Sequence, residues 1–450
     1  DVNTTGAFNT ALGSSALGSN TTAAANTAVG YQALTTNTTG GDSAAFGYQA
    51  AQSNTTGNYL TAIGRQALYN NTTADYNTAV GYRASYANTT GFRNVALGAF
   101  TGQNVTTGTY NVAIGYSAGG ANGSNLSGAE NITIGGFSGT NITSANYNVA
   151  MGDSTLRNNT TGSNNTALGQ TALYNNTTAS NNTAVGLGAL YANTTGYENT
   201  FVGYIAGDSI TTGVQNTGVG YNAGGAATTG ASNTYLGHGS GSAITTGNQN
   251  TILGRFSGNG GGLDIRASNN NIVLSDGSGN PRVFINSTGN VGIGTVNQNA
   301  RLMVEAPANT IQPLAINDSS NTASATHRIS FRTGNTEVGK ILATNSATTY
   351  ATSSDHRLKE NVDYTWDATT RLKQLKPARF NFIVDADTTV DGFLAHEAQA
   401  VVPECATGTH NEVDDDGAAV MQGIDQSKLV PLLVKTIQEL EARITALEGA

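Results

Sequence analysis

Lysine is missing from the first three-quarters of the chain, the earliest being Lys340, and charged residues make up only 11% of its 450 residues. So few charges exclude a solvated disordered tail. Large apolar residues are too sparse for an ordinary globular core, whereas small residues with abundant Asn and Thr suit thin, stacked β layers. The single cysteine, Cys405, excludes a disulfide framework within a chain and reads as a small buried apolar residue. The net charge of −9 argues against a nucleic-acid binder, which needs a basic patch. No apolar run is long enough to span a bilayer, so no membrane insertion is expected. There is no signal peptide and no starting Met, so Asp1 reads as a boundary within a longer protein.

Cofactor and metal motifs are also missing. The stretch NVGIGT at Asn290 has Gly292 and Gly294, but a third glycine is replaced by Asn297, so it is no dinucleotide site. The acidic run EVDDDG puts Gly423 where a calcium loop starting at Glu412 would need its closing Glu. It reads as an acidic loop, and neither a cofactor nor a metal is expected.

What is present is repetition. The pattern N-T-A-(apolar)-G recurs at Asn9, Asn26, Asn77, Asn165 and Asn182. Its glycine falls at 17-residue steps from Gly13 to Gly115 and again from Gly135 to Gly254, with one step of 20 between. A fixed period of this size means a repeat architecture. The residue before the glycine is apolar, as at Leu12, Val29, Phe46 and Ile63, and is expected to stack into a continuous core. The glycine suits a positive-φ turn or a close backbone approach. Three residues on, the side chain is small, as a crowded interior requires. The Asn four before the glycine suits a ladder of stacked amides. The N-T-T-G runs are turns, and the extra residues between Ala118 and Glu130 predict a bulged loop. Two short strands per 17-residue turn give a parallel β-roll over residues 1–258. Tyr31, Tyr48, Tyr82, Tyr116, Tyr204 and Tyr221 follow the repeat glycine and form a possible glycan-contact stripe; the plainer reading is cover for the strand edge.

Periodicity stops at Gly260-Gly261-Gly262. Short strands NIVLSD, PRVFIN, NVGIGT, RLMVEA, HRISFRTG and GKILAT follow, and residues 259–354 read as an intertwined β stalk. The remainder, residues 355–450, reads as a small charged α+β domain. It has a helix over Trp366 to Leu375, a strand from Arg379, and a strand-to-helix unit at GFLAHEAQAVVPE in which His396 is a packed or capping residue. In the last segment, Val430, Leu433, Ile437, Leu440, Ile444 and Leu447 alternate at steps of three and four, a heptad seam over 428–448.

The join between these parts is SSDHRLKEN, Ser353 to Asn361. Ser354 and Lys359 make a potential serine–lysine pair. A hydroxyl attacks only when a base takes its proton, and a lysine becomes that base when burial lowers its pKa. If Ser354 attacked its own carbonyl a strained four-membered ring would form. A neighbouring copy's serine and a lysine-activated water remain open as nucleophiles.

SSDHRLKENV, GFLAHEAQAVVPE and SKLVPLLVKTIQELEARITALE, in that order, resemble the intramolecular chaperone of phage tail spikes and fibres, the S74 peptidase domain. The resemblance implies a homotrimeric chaperone that folds the preceding fibre. It then cuts itself off between the Ser and Asp of S-D-x-R-L-K, here Ser354–Asp355, with Ser354 and Lys359 as the dyad. It also implies a virion location, a host-surface glycan or protein receptor, and contact with other tail proteins through a missing N-terminal part. Val and Ile alternating with Leu in the seam would alone favour a dimer; the resemblance implies a trimer. The NVGIGT stretch resembles a common tail-fibre segment. The repeats resemble the head repeats of trimeric autotransporter adhesins, which implies a left-handed roll. Two other functions fit parts of the chain. A bacterial trimeric surface adhesin would need an anchor in place of the C-terminal coiled coil. A polysaccharide depolymerase would need two carboxylates within about 10 Å, for which Glu198 and Asp208 are the only close pair in the roll, Asp42 and Glu130 being turns away.

Overall fold

Each repeat lies beside its counterpart in the next turn. In the computed structural model, Thr10, Ala11 and Leu12 pair in parallel with Thr27, Ala28 and Val29, and the last such pair is Thr234–Leu236 with Thr251–Leu253. The structure describes residues 3–120, 125–305, 326–333, 336–343, 348–352, 354–383, 385–414 and 417–449. They fall into two units, Asp1–Ala315 and Ile316–Ala450.

The first unit is a parallel β-solenoid. Each turn carries one three-residue strand, from β1 (Thr10–Leu12) to β15 (Thr251–Leu253). The second strand expected per turn does not form. Positive-φ residues punctuate the rest of each repeat, such as Gln32 (φ 53), Leu34 (φ 51) and Asp42 (φ 56), and no extended run survives them.

The core is also not where the sequence reading puts it. Side chains alternate along a strand, so in a three-residue strand the middle one points one way and its neighbours the other. The middle residue is the buried one: Ala28, Ala62, Ala79 and Ala150 are each 0% exposed. The apolar residue before the glycine therefore faces outward, with Leu12 66%, Phe46 40% and Ile63 40% exposed. The small residue three after the glycine does line the interior, as Ala33 and Ala67 do, and Leu34, Leu68 and Leu173 follow it inward. The glycine itself meets both expectations. Gly30 has φ +135, and a Cβ there would collide with the Gly47 carbonyl.

Asparagine side chains hold the turns in register. Asn94 Oδ1 accepts from the Asn111 amide at 2.9 Å, while Asn94 Nδ2 donates to the Gly108 carbonyl at 2.8 Å. A second ladder runs through the N-T-T-G turns. Asn37, Asn54, Asn71 and Asn88 each donate through Nδ2 to the Oδ1 of the previous one, at 2.7 to 3.2 Å. This ladder is broken where Val105 and Ile210 take the Asn position, and the buried Oδ1 atoms of Asn88 and Asn193 are left unpartnered at those two breaks. At the same turns the inward leucine becomes Gly102 or Gly207. The space goes to a larger inward strand residue at Phe201, whose ring would meet a Cβ on Gly207 at 2.8 Å.

The 20-residue repeat leaves the ladder undisturbed, with Val112–Ile114 still pairing Ile132–Ile134. Part of the loop expected there, residues 121–124, lies outside the described residues. After β15 come a short hairpin, β16 (Asn259–Gly260) with β17 (Leu263–Asp264), then β18 (Ile272–Ser275). Strand β18 adds one more parallel rung, Thr251↔Ile272 to Leu253↔Leu274. Strands β19 (Pro281–Ile285) and β20 (Val291–Ile293) turn antiparallel, and β21 (Leu302–Val304) pairs in parallel with β20.

The second unit opens with an antiparallel sheet of β22 (Thr326–Thr333), β23 (Thr336–Ala343) and β24 (Thr348–Thr352). Helix α1 (Ala368–Leu372) is shorter than the expected span and starts at Asp367, whose side chain caps Thr370 N. A hairpin of β25 (Ala378–Phe382) and β26 (Asp385–Gly392) leads to α2 (Ala395–Val401), the expected strand-to-helix unit. A short pair, β27 (Ala406–Thr407) and β28 (Gly423–Ile424), precedes α3 (Val430–Glu448). Ala368, Ala398, Val402, Cys405, Leu429 and Leu432 form the core, with Trp366 packed against it. Cys405 is buried as expected, and burial raises its thiol pKa.

Candidate functional site

The site is a tight turn just after β24. Asp355 caps a 3-10 turn at His356–Leu358 by accepting from Arg357 N at 2.9 Å. The Arg357 guanidinium grips the same carboxylate with two hydrogen bonds of 3.0 and 2.7 Å, which hold the Asp355 carboxyl below the usual carboxylate range. Lys359 ends the turn, its N–H donating to the His356 carbonyl. The chain thus doubles back and brings Lys359 Nζ to 2.8 Å from Ser354 Oγ. The Ser354–Asp355 peptide bond lies within the loop that this contact closes. Both Ser354 and Lys359 are exposed, so the pair is assembled but open to water. Ser353, the residue before it, lies outside the described residues. Thr352 borders a cleft of about 610 Å³ lined by Trp366, Arg371, Glu404 and Lys428.

The heptad positions share one face of α3. Val430 is 53%, Leu433 45%, Ile437 63%, Leu440 43%, Ile444 54% and Leu447 78% exposed. The opposite face packs on the domain through Leu432 and Thr436. His396 stacks on His410 with ring centres 4.1 Å apart. Residues 415 and 416 of the acidic run lie outside the described residues. Among the described residues, no three His, Cys, Asp or Glu side chains group closely enough to hold a metal. Nor is any described helix long and apolar enough to cross a membrane.

The tyrosines after the repeat glycine form columns along the solenoid. Tyr31 stacks on Tyr48 at 5.3 Å, Tyr204 on Tyr221 at 5.6 Å, and Tyr82 and Tyr116 both meet Phe100 edge-on. In the stacked pairs the rings cover each other's faces. A second column, five residues before the glycine, is absent from the sequence reading. Tyr59 stacks on Tyr76 at 4.7 Å, and Arg93 lies over Tyr76 and Tyr110 while donating to the Tyr110 hydroxyl. Its signal was the same period, at a position where only some turns carry an aromatic. Of the carboxylate pair, Glu198 accepts from Gln215 at 3.0 Å, and partial burial raises the Asp208 pKa.

No curated protein and no solved structure matches this chain. A family comparison does match, and it begins at the serine of the turn. Residues 354–407 fit the Peptidase_S74 family, described as the chaperone of endosialidase. The third motif, Ser427 to Glu448, lies beyond the matched span. That family implies an intramolecular chaperone that cuts itself and forms homotrimers. A fifteen-turn β-solenoid followed by a Peptidase_S74 segment is consistent with a phage tail fibre or spike.

Proposed function

We propose that this chain is the distal part of a phage tail fibre or spike, a homotrimer that attaches to the host. Its C-terminal domain assists folding of the trimer and leaves by cleavage between Ser354 and Asp355. The observation that carries this reading is the 2.8 Å contact of Lys359 Nζ with Ser354 Oγ, in a turn where the Peptidase_S74 match begins. The turn supplies proximity without requiring the rest of the fold to close. What it lacks is burial. An amine serves as base only once it has lost its proton, and desolvation favours that loss. The exposed seam of α3 supplies the cause: when three copies associate, the junctions come under cover, and cleavage follows assembly. The nucleophile is then a neighbouring copy's Ser354 or a water activated by Lys359. Water breaks the C–N bond directly, whereas a neighbouring serine first takes the acyl group as an ester that water then hydrolyses; both routes leave a carboxyl on Ser354 and an amine on Asp355.

In this reading, residues 259–354 form an intertwined stalk, and the fibre meets a glycan or protein receptor on the host. The stacked tyrosines present ring edges and hydroxyls for such contacts. Sequencing the released fragment tests the proposal. It should begin Asp355-His356-Arg357, and a fragment beginning elsewhere contradicts it.

A further inference from the structure

The outward face of the solenoid sheet poses a question that the single chain leaves open. Two residues of every strand point away from the core: the first, and the one before the repeat glycine. From β1 to β18 neither position carries a charge in any rung. The first is Thr, Val, Ile or Ala, and the second is Leu, Val, Ile, Phe or Met. Phe46, Ile63, Met151, Val219 and Leu236 along this line are 36 to 49% exposed. Charges do occur beside the strip, in the columns that hold Arg93 and Glu130 on one side and Arg65 and Asp153 on the other.

Sixteen rungs, β1 to β15 and β18, spaced about 4.8 Å apart make a strip about 70 Å long, and two outward side chains give it a width of about 10 Å. That is about 700 Å² of uncharged surface, with an apolar line of Leu, Val, Ile, Phe and Met beside a line that is mostly Thr. It is close to the area of about 800 Å² that each partner contributes to a stable interface. A centre without charge, flanked by columns that do carry charges, is also how such interfaces are built.

The period decides the occupant. The strip repeats once per turn along its whole length. A partner that fills every rung must share that axial step, and a second copy lying parallel and in register does so.

We infer that the outward strip of the solenoid, from β1 to β18, is the surface on which further copies of this chain pack, parallel and rung for rung. The inference rests on the homotrimer of the proposed function and adds where the copies touch outside the chaperone. It also accounts for the apolar residue before each glycine, which the core does not need.

Engineered cysteines in the full chain test it. Val80→Cys and Val185→Cys lie on the strip, and Thr90→Cys and Thr195→Cys lie on exposed turns away from it. A bis-maleimide spanning about 10 Å, the separation of facing sheets, should link the two valine variants into dimers on a denaturing gel and leave the threonine variants single. Mixed Val80→Cys and Val185→Cys chains should give no link between unlike chains. Links at the threonines in place of the valines, links between unlike chains, or a monomer in solution would overturn the inference. The mass of each sample reports cleavage separately. Cleavage without valine links condemns the strip and spares the chaperone reading; valine links without cleavage do the reverse.

Discussion

Glu439 on α3 accepts three hydrogen bonds from the start of α1: from Ala368 N at 3.0 Å, Thr369 N at 2.8 Å and Thr369 Oγ1 at 2.6 Å. Lys435, one turn earlier, donates to the Tyr364 carbonyl at 2.9 Å. Helix α3 is thereby fastened to its own domain by one face, while the face that carries Val430 to Leu447 stays exposed.

This clasp has a pH signature. Hydrogen bonds from Ala368 and then Thr369 lower the Glu439 pKa below its usual 4.5. A carboxyl depressed in the folded state stabilises it above the unfolded pKa, and the gain is lost as pH falls through the folded value. Glu439→Gln should therefore lower the melting temperature of the uncut Ser354→Ala chain at pH 7. The gap from the parent should close as the buffer is taken below about pH 4.5. A gap that is constant with pH would show that the carboxylate charge contributes nothing.

The seam itself predicts an assembly defect. Leu440→Asp places one charge per copy into an apolar contact, each costing several kcal/mol. The variant should remain unassembled and uncut. A soluble, cleaved trimer from this variant, seen by light scattering and mass, would count against association through α3.

Inside the solenoid, Phe201 and Gly207 are coupled by volume. Gly207→Leu alone pushes a side chain into the Phe201 ring and should destabilise by about 1–3 kcal/mol. Phe201→Ala alone opens a cavity and should cost about 3–5 kcal/mol. Together they recreate the Ala184 and Leu190 pair of the preceding turn. The double variant should lose less than the sum by roughly 0.5–3 kcal/mol. Denaturation of all three variants checks this, and simple additivity would show that the two sites do not share one space.

Removal of the chaperone should make the fibre's stability kinetic. Within a chain each turn meets only its neighbours, so its own pairing is local. Slow refolding must then come from aligning separate chains. The cleaved trimer is expected to survive unheated SDS and not to recover after melting. The uncut Ser354→Ala trimer should unfold faster, because a helper that lowers the folding barrier lowers the reverse one too. Equal unfolding rates at several temperatures would leave cleavage as mere release of a spent part.

Much of this fold was legible in the sequence. The spacing from Gly13 to Gly254 gave the turns, Asn94 and its counterparts gave the ladder, and the step from Val430 to Leu447 gave the exposed apolar face of α3. The phase of the strand was not legible. Whether Val29 or Ala28 faces the core depends on where a three-residue strand begins, and an apolar Val argued for the wrong side. The exchange of Leu and Asn for Gly and Ile between turns was present as Leu190–Asn193 against Gly207–Ile210. It becomes meaningful only once both positions are known to share the interior with Phe201. The Glu439 clasp joins residues about seventy apart, with no periodic signal to link them. At the junction, Ser354 and Lys359 were legible as a pair, but the Asp355–Arg357 clamp that folds the turn between them was not.

Intact mass of the purified protein and of two variants tests the central claim most directly. The parent should appear as two pieces divided between Ser354 and Asp355. Ser354→Ala and Lys359→Ala should each remain one chain near 45.9 kDa, while Ser353→Ala is cut like the parent. A Ser354→Ala or Lys359→Ala chain still divided before Asp355 would contradict the account.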